Sequence, residues 1–256
     1  MIKFIDEKGM IEPNAMAGGA CDIIKNTGAK TAIMVFSSHI FEAFDKVFGL
    51  REIGRMYSSN NETLYELTAG GKKAVLVKSG IGAPAASAFA EELMVCGLDN
   101  LIAYGICGAL VEAPPRTFVV PTKAFRDEGT SYHYAPASEF ISIKNADTLK
   151  AELDGMGLKT LCGGVWTTDG FYRETRTRRD ELIEKGCIAV DMESAALQAV
   201  CDYRGKNFYT FFITADSLSD DEWSPNYIFD DNKSTPLDEL GAAAVGKMVE
   251  KLARVK

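Results

Sequence analysis

The sequence predicts an α/β fold: a single domain over residues 1–256, built as a three-layer α/β/α sandwich around a mixed, mainly parallel central sheet. Three observations lead there. Short apolar runs of strand length alternate with helical stretches along the chain. No linker, repeat or low-complexity tract divides it. And 256 residues, 46% hydrophobic and 25% charged, are ample for one sizeable core.

Thr31 to Phe36 (TAIMVF) is a continuous apolar run, the pattern of a parallel strand covered on both faces. A helix follows, from an N-cap near Ser38 to a stop near Gly49. TLYELT (63–68) alternates as a half-exposed strand does. KAVLVK (73–78) answers it across Ala69-Gly70-Gly71, which makes a hairpin. After Ser79-Gly80-Ile81-Gly82 a helix runs from about Pro84 to Cys96, its proline in the first turn where no N–H is needed. Leu101 to Tyr104 forms the next strand and runs out into the turn Gly105-Ile106-Cys107-Gly108. A strand at Thr117–Pro121, a polar, aromatic-rich loop from Phe125 to Ser138, a helix at Ala146–Gly155 and a strand at Lys159–Thr168 come next. Ile188–Val190 is a short strand that turns directly into a helix, Met192 to Tyr203, stopped by Gly205. A strand at Asn207–Thr214 and a helix from about Pro236 to Ala253 complete the alternation.

A formal net charge of −8 argues against a nucleic-acid partner, which calls for a basic face. The start, MIKFIDEKGMIEP, carries acidic residues and no apolar core, unlike a signal peptide. The longest apolar run, around Leu101 to Val111, falls short of the ~20 residues a membrane span needs. A soluble cytoplasmic protein with no membrane partner is therefore expected. The six cysteines (Cys21, Cys96, Cys107, Cys162, Cys187, Cys201) lack C-x-x-C or zinc-like spacing. They read as buried thiols in a reducing compartment, and neither a metal nor an organic cofactor is indicated.

In sheets of this kind ligands bind at the carboxyl ends of strands. The segments KSGIG (78–82), YGICGAL (104–110), AVDMESAAL (189–197) and ITADSL (213–218) qualify, together with the loop RDEGTSYHYAP (126–136). Each of their polar residues has a plain structural reading. Asp191 can be the N-cap of the helix it precedes, with Glu193 in the first turn complementing the dipole. Asp216 can be a turn aspartate, and His39 and His133 ordinary hydrogen-bonded histidines. The glycines lack the spacing of a dinucleotide fingerprint, and there is neither a P-loop nor a G-x-S-x-G elbow. Residue by residue, the pattern stops at an enzyme-like α/β domain with an acidic site.

Taken together and in order, the same segments resemble the nucleoside phosphorylase I superfamily, from roughly Lys30 to the C-terminus. That superfamily includes hexameric purine nucleoside phosphorylases, uridine phosphorylases and methylthioadenosine/adenosylhomocysteine nucleosidases. VDMESAAL is close to the family's V-E-M-E-[SA] helix start. SGIGAP with a helix ending EELMVCG, the GxCGAL turn and the RDEGTSYHYAP loop carry the rest. The resemblance implies a phosphorylase/hydrolase-like fold and a pentosyltransferase of nucleoside salvage. Its reaction would cleave the N-glycosidic bond with inorganic phosphate as co-substrate, giving base and ribose 1-phosphate. It also implies a homo-oligomer, dimer or hexamer, with a small nucleoside as partner.

The resemblance further implies roles for individual residues. Glu193 would hold the ribose hydroxyls, Met192 would pack on the ribose face, and Asp191 stands where the family usually has Glu. Phe171 would stack on the base, Cys107 and Gly108 match the purine enzymes, and Asp216 would donate a proton towards purine N7. The Gln and Arg that read uracil in uridine phosphorylases are replaced here by Thr175 and Thr177. A purine base is thus favoured, while the 126–136 loop and Arg173 or Arg176 leave uridine open.

The chain departs from the resemblance at the nucleophile. The family's phosphate-gripping arginines fall near Ile40, Ala103 and Asn61, and its hydroxyl at Ile106. A dianion needs charge-assisted donors, so replacements are sought in Arg51, Arg55, Arg126 and Arg173, with Ser37, Ser38, Ser79 and Gly80. His39 lies close to where the hydrolytic nucleosidases place the glutamate that activates water, and is a candidate contact to the nucleophile. Two alternatives follow: a nucleosidase using water, and a non-catalytic nucleoside-binding protein.

Overall fold

The computed structural model describes residues 4–56, 62–226, 228 and 233–253. Ahead of the first apolar strand stand two helices that the hydrophobic pattern does not announce, α1 (Pro13–Ala17) and α2 (Ala20–Thr27). Then β1 (Thr31–Val35), buried at every position, leads into α3 (Ser38–Phe48). Its N-cap position is Ser37 rather than Ser38.

An exposed strand, β2 (Arg51–Met56), precedes the hairpin of β3 (Glu62–Ala69) and β4 (Lys72–Lys78). Ala69 pairs with Lys72 across Gly70 and Gly71, whose φ of 53° and 75° suit the two-residue turn that right-twisted strands prefer. Then come α4 (Ala83–Val95), β5 (Asn100–Ala109), β6 (Phe118–Asp127), β7 (Phe140–Ser142), α5 (Ala146–Gly155) and β8 (Thr160–Thr168). The chain finishes with α6 (Arg176–Glu184), β9 (Cys187–Asp191), α7 (Ser194–Tyr203), β10 (Asn207–Ser217) and α8 (Pro236–Leu252). A full capping box, Thr235 with Asp238, starts α8 where a single turn must be fixed after an irregular stretch.

Parallel pairs join β5 to β10, β6 to β8, β8 to β9, and β1 to both β4 and β5, the two longest being β5 with β10 and β6 with β8. Antiparallel pairs join β2 to β3, β3 to β4, β5 to β9, β6 to β10 and β6 to β7. The expected mixed, mainly parallel sheet between helices is present. One feature is added: β10 pairs with β6 as well as β5, so β5, β10, β6, β8 and β9 close into a ring from which β1, β4, β3 and β2 extend. The helices pack in two groups, α3 with α8 and α4 with α7. Between strands and helices lies a core that includes Ile33, Phe44, Tyr104, Leu197 and Phe211. Tyr104 and Phe211 stack with ring centroids 4.4 Å apart.

Several sequence expectations need correction. Gly105 to Gly108 is not a turn, because β5 runs straight through it, paired along its length with β10. The strand at Thr117–Pro121 does not stop at its proline. It shifts register between Pro121 and Lys123 and continues to Asp127, the bulge absorbing the missing N–H. The cysteines are not all buried thiols: Cys21 of α2 and Cys96 at the end of α4 form a disulfide, and Cys162 is exposed. Cys107, Cys187 and Cys201 are buried and free, as expected.

Candidate active site

One edge of β5 changes partner halfway along. β1 pairs with it as far as Tyr104, and β9 takes over only at Gly108, while β10 holds the other edge throughout. The edge between those pairings opens into a cavity of about 460 Å³, a volume suited to a small organic ligand. Its walls bring together Ile106, Cys107 and Gly108 of β5, Asp191, Met192 and Glu193 from the β9–α7 junction, Asp216 of β10, and Phe171. These include the residues given a ribose or purine role by sequence, whereas Arg173 and Arg176, the candidates for reading uracil, are not in this wall.

The β9–α7 junction is built around Asp191. Its Oδ2 accepts from the N–H of Ser194 (2.7 Å) and of Glu193 (3.3 Å), and its Oδ1 from Thr167 Oγ1 (2.7 Å). Asp191 therefore satisfies the orphan donors at the start of α7, although the N-cap position itself belongs to Glu193. Thr167 Oγ1 also accepts from the N–H of Ala195, tying β8 to the same turn. Glu193 is 7% exposed, and its Oε1 accepts from the N–H of Gly82 at 2.6 Å. Burial, with the Asp191 charge beside it, pushes the Glu193 carboxyl up to about 8. Burial raises Asp191 too, against the pull of its hydrogen bonds from Ser194 and Thr167.

Asp216 faces this junction from β10. It is 5% exposed, its Oδ2 accepts from Trp223 Nε1 at 2.8 Å, and burial raises it above the usual aspartate range. Gly108 lies beneath it for want of space: an added methyl there would stand 2.9 Å from Val190 Cγ1, 3.0 Å from Leu218 Cδ1 and 3.3 Å from Asp216 Oδ1. Burial, assisted by the Asp191 and Asp216 charges, lifts the Cys107 thiol well above its usual range, so it stays protonated and unreactive. Phe171, 40% exposed, offers its ring from a short 3₁₀ turn, Phe171–Arg173.

On the side of β1, Ser37 lines the cavity, and its Oγ is buried without a hydrogen-bond partner. Next to it, Lys78 at the end of β4 donates from Nζ to Ser38 Oγ at 2.8 Å. Sequence reasoning missed Lys78 because a lysine closing a hairpin strand looks like a solvent-facing end. Parallel pairing of β1 with β4 is what carries it beside Ser38. It missed Glu174 and Trp223 too: Glu174 lines the cavity from the 171–174 segment, and Trp223 reaches Asp216 from beyond β10.

Of the nucleophile-side candidates only Ser37 lines the cavity; Ser38 and Lys78 stand behind it, and the others lie further apart. His39 sits partly buried in the first turn of α3. Ser79 is buried and donates to Gly80 O, Gly80 is exposed, and Arg173 points from the exposed end of its 3₁₀ turn. Arg51 pairs with Glu66 at 2.7 Å and Arg55 with Glu52 at 3.9 Å. Arg126 is consumed by its own loop: it donates to Ser131 Oγ (2.8 Å), Pro136 O (2.6 Å) and Ser138 Oγ (2.9 Å), with its guanidinium over the Tyr132 ring. That explains the loop's unusual composition, and none of its residues lines the cavity. His133 within it is exposed. Ile40 and Ala103 are buried in the core, and Asn61 lies outside the described residues. Among the described residues no cluster of His, Cys, Asp and Glu could hold a metal ion, and no helix is long and apolar enough to cross a membrane.

The family model of the phosphorylase superfamily matches residues 30–249. A purine nucleoside phosphorylase of the DeoD type from Bacillus cereus is 31% identical over 153 residues, covering 58% of this chain. The match spans 65% of that relative's length, just under two thirds. Two solved structures share the fold. The uridine phosphorylase of Vibrio fischeri ES114 superposes with a TM-score of 0.74 at 21% identity, covering 87% of this chain and 92% of that one. The purine nucleoside phosphorylase of Toxoplasma gondii, in complex with immucillin-H, superposes with a TM-score of 0.72 at 17% identity, with the same coverage.

Proposed function

The chain belongs to the phosphorylase superfamily, and from that membership we propose that it cleaves the N-glycosidic bond of a purine nucleoside with inorganic phosphate, giving base and ribose 1-phosphate. The observation that supports this reading is the convergence of Glu193 and Asp216 on one cavity.

Breaking this bond leaves positive charge on the sugar and negative charge on the departing base. Glu193 accepts from the ribose hydroxyls, which favour its ionised form, and those bonds strengthen as oxocarbenium character develops. Asp216, whose carboxyl burial raises above its usual range, hands a proton to N7 and lets the base leave neutral. Phe171 stacks on the base and Met192 covers the ribose face. The nucleophile is held by groups other than the arginines sought by sequence. Lys78 supplies the positive charge, with the hydroxyls of Ser38 and Ser37 and the first turn of α3 behind them.

A second reading, water as the nucleophile, is favoured by one observation. Apolar Ile40, Ala103 and Ile106 fill the positions where a phosphate grip was sought. Product identification separates the two. A purine nucleoside incubated with phosphate should yield ribose 1-phosphate. Lys78→Met should raise the KM for phosphate at least about tenfold, and Asp216→Asn should slow turnover by about 10²- to 10⁴-fold. Free ribose formed at the same rate with or without phosphate would establish hydrolysis instead.

A further inference from the structure

We propose that Glu174 reads the base alongside Asp216, and that the two carboxyls together select 6-aminopurines over 6-oxopurines. This rests on the nucleoside-cleaving reading above for the placement of purine N7 at Asp216.

Glu174 joins the 3₁₀ turn that carries Phe171 to Thr175, whose side chain caps α6. It lines the main cavity and also a smaller one of about 160 Å³, so Glu174 stands in the wall the two share. The cations nearest in that wall are engaged elsewhere. Arg176 Nε donates to Asp221 O at 2.8 Å, while Arg179 donates from Nη1 to Leu218 O and from Nε to Asp180 Oδ1, each at 2.8 Å. No donor from a described residue reaches the Glu174 carboxyl. Across the cavity Asp216 has one oxygen fixed by Trp223 Nε1.

Two partly or wholly buried carboxyls that feel each other's charge do not ionise together readily. Burial and the charge of Asp216 push Glu174 up to about 7, and burial raises Asp216 as well. Lining one cavity, the two carboxyls share a proton, which a purine N7 accepting from Asp216 draws to that carboxyl, so that Glu174 is left as the acceptor for the rest of the base edge. The edge of a 6-aminopurine fits that set, with N7 accepting from Asp216 and the 6-amino group donating to Glu174. A 6-oxopurine presents two acceptors, N7 and O6. It would leave a carboxylate against a carbonyl oxygen unless a second proton were bound, and an unmatched buried polar group is costly.

The test is equilibrium binding of the free bases adenine and hypoxanthine, measured by calorimetry on the full chain and on Glu174→Gln, with thermal melting to confirm folding. The unsubstituted protein should bind adenine about tenfold or more tightly than hypoxanthine. The amide of Glu174→Gln can offer an N–H to O6, so the preference should collapse or invert. Glu174→Ala should lose it without inversion. Equal binding of the two bases by the unsubstituted protein, or an unchanged ratio in Glu174→Gln, would overturn the assignment. Selective adenine binding through Glu174 with no ribose 1-phosphate formed would leave the assignment standing and remove phosphorolysis. Ribose 1-phosphate formed with no amino/oxo discrimination would do the reverse.

Discussion

Glu193 occupies a place where an ionised carboxylate is costly, and that has a consequence for stability. In the unfolded chain it ionises at its ordinary value, near 4.5, and in the folded protein at about 8. Between those values the folded state holds a proton that the unfolded state has lost, so stability falls as pH rises through that window. Glu174, at about 7, adds to the same trend. The melting temperature without ligand should therefore be higher at pH 5.5 than at pH 8.5, and Glu193→Gln should flatten the slope. A melting temperature that rises over this range would contradict the buried, proton-holding carboxyl. At this scale Asp191, Glu193 and Asp216 were legible because each stands where an apolar strand ends. Glu174 and Lys78 were not. One lies in the polar run YRETRTRRDE and the other ends a hairpin, and only tertiary packing brings Glu174 to the cavity and Lys78 beside Ser38.

The strand β5 carries the cavity floor, and its glycine at 108 is closely packed, with no room for an added methyl between Val190 and Leu218. Gly108→Ala should cost about 1–3 kcal/mol of stability through overpacking and displace Asp216, lowering turnover as well as melting temperature. Gly155→Ala, at the end of α5 where an added methyl meets nothing within 4 Å, should leave melting unchanged or raise it. A Gly108→Ala protein that melts and turns over normally would show that the cavity floor has slack. Elements with a clear apolar period, such as β1, β4, α7 and α8, were readable from sequence. Polar α6 buries only Leu182, and β2 is an exposed edge strand. Neither leaves a hydrophobic pattern to read, since their place is set by neighbours.

For the whole molecule, alternation of strands and helices was enough to specify the layered architecture. Ring closure through β10 was not legible, because pairing between β6 and β10 is long-range and leaves no local mark. The disulfide between Cys21 and Cys96 was hidden for the same reason, with 75 residues separating its partners. Yet closure decides where the site lies: it brings the ends of β5, β9 and β10 to one wall, opposite the end of β1. One nucleoside should then satisfy both carboxylates at once. The direct measurement is a crystal structure with a purine nucleoside bound and phosphate present. The expected density places the ribose hydroxyls on Glu193, N7 on Asp216, the ring against Phe171 and the phosphate beside Lys78. A nucleoside bound with its sugar away from Glu193, or outside this cavity, would contradict it.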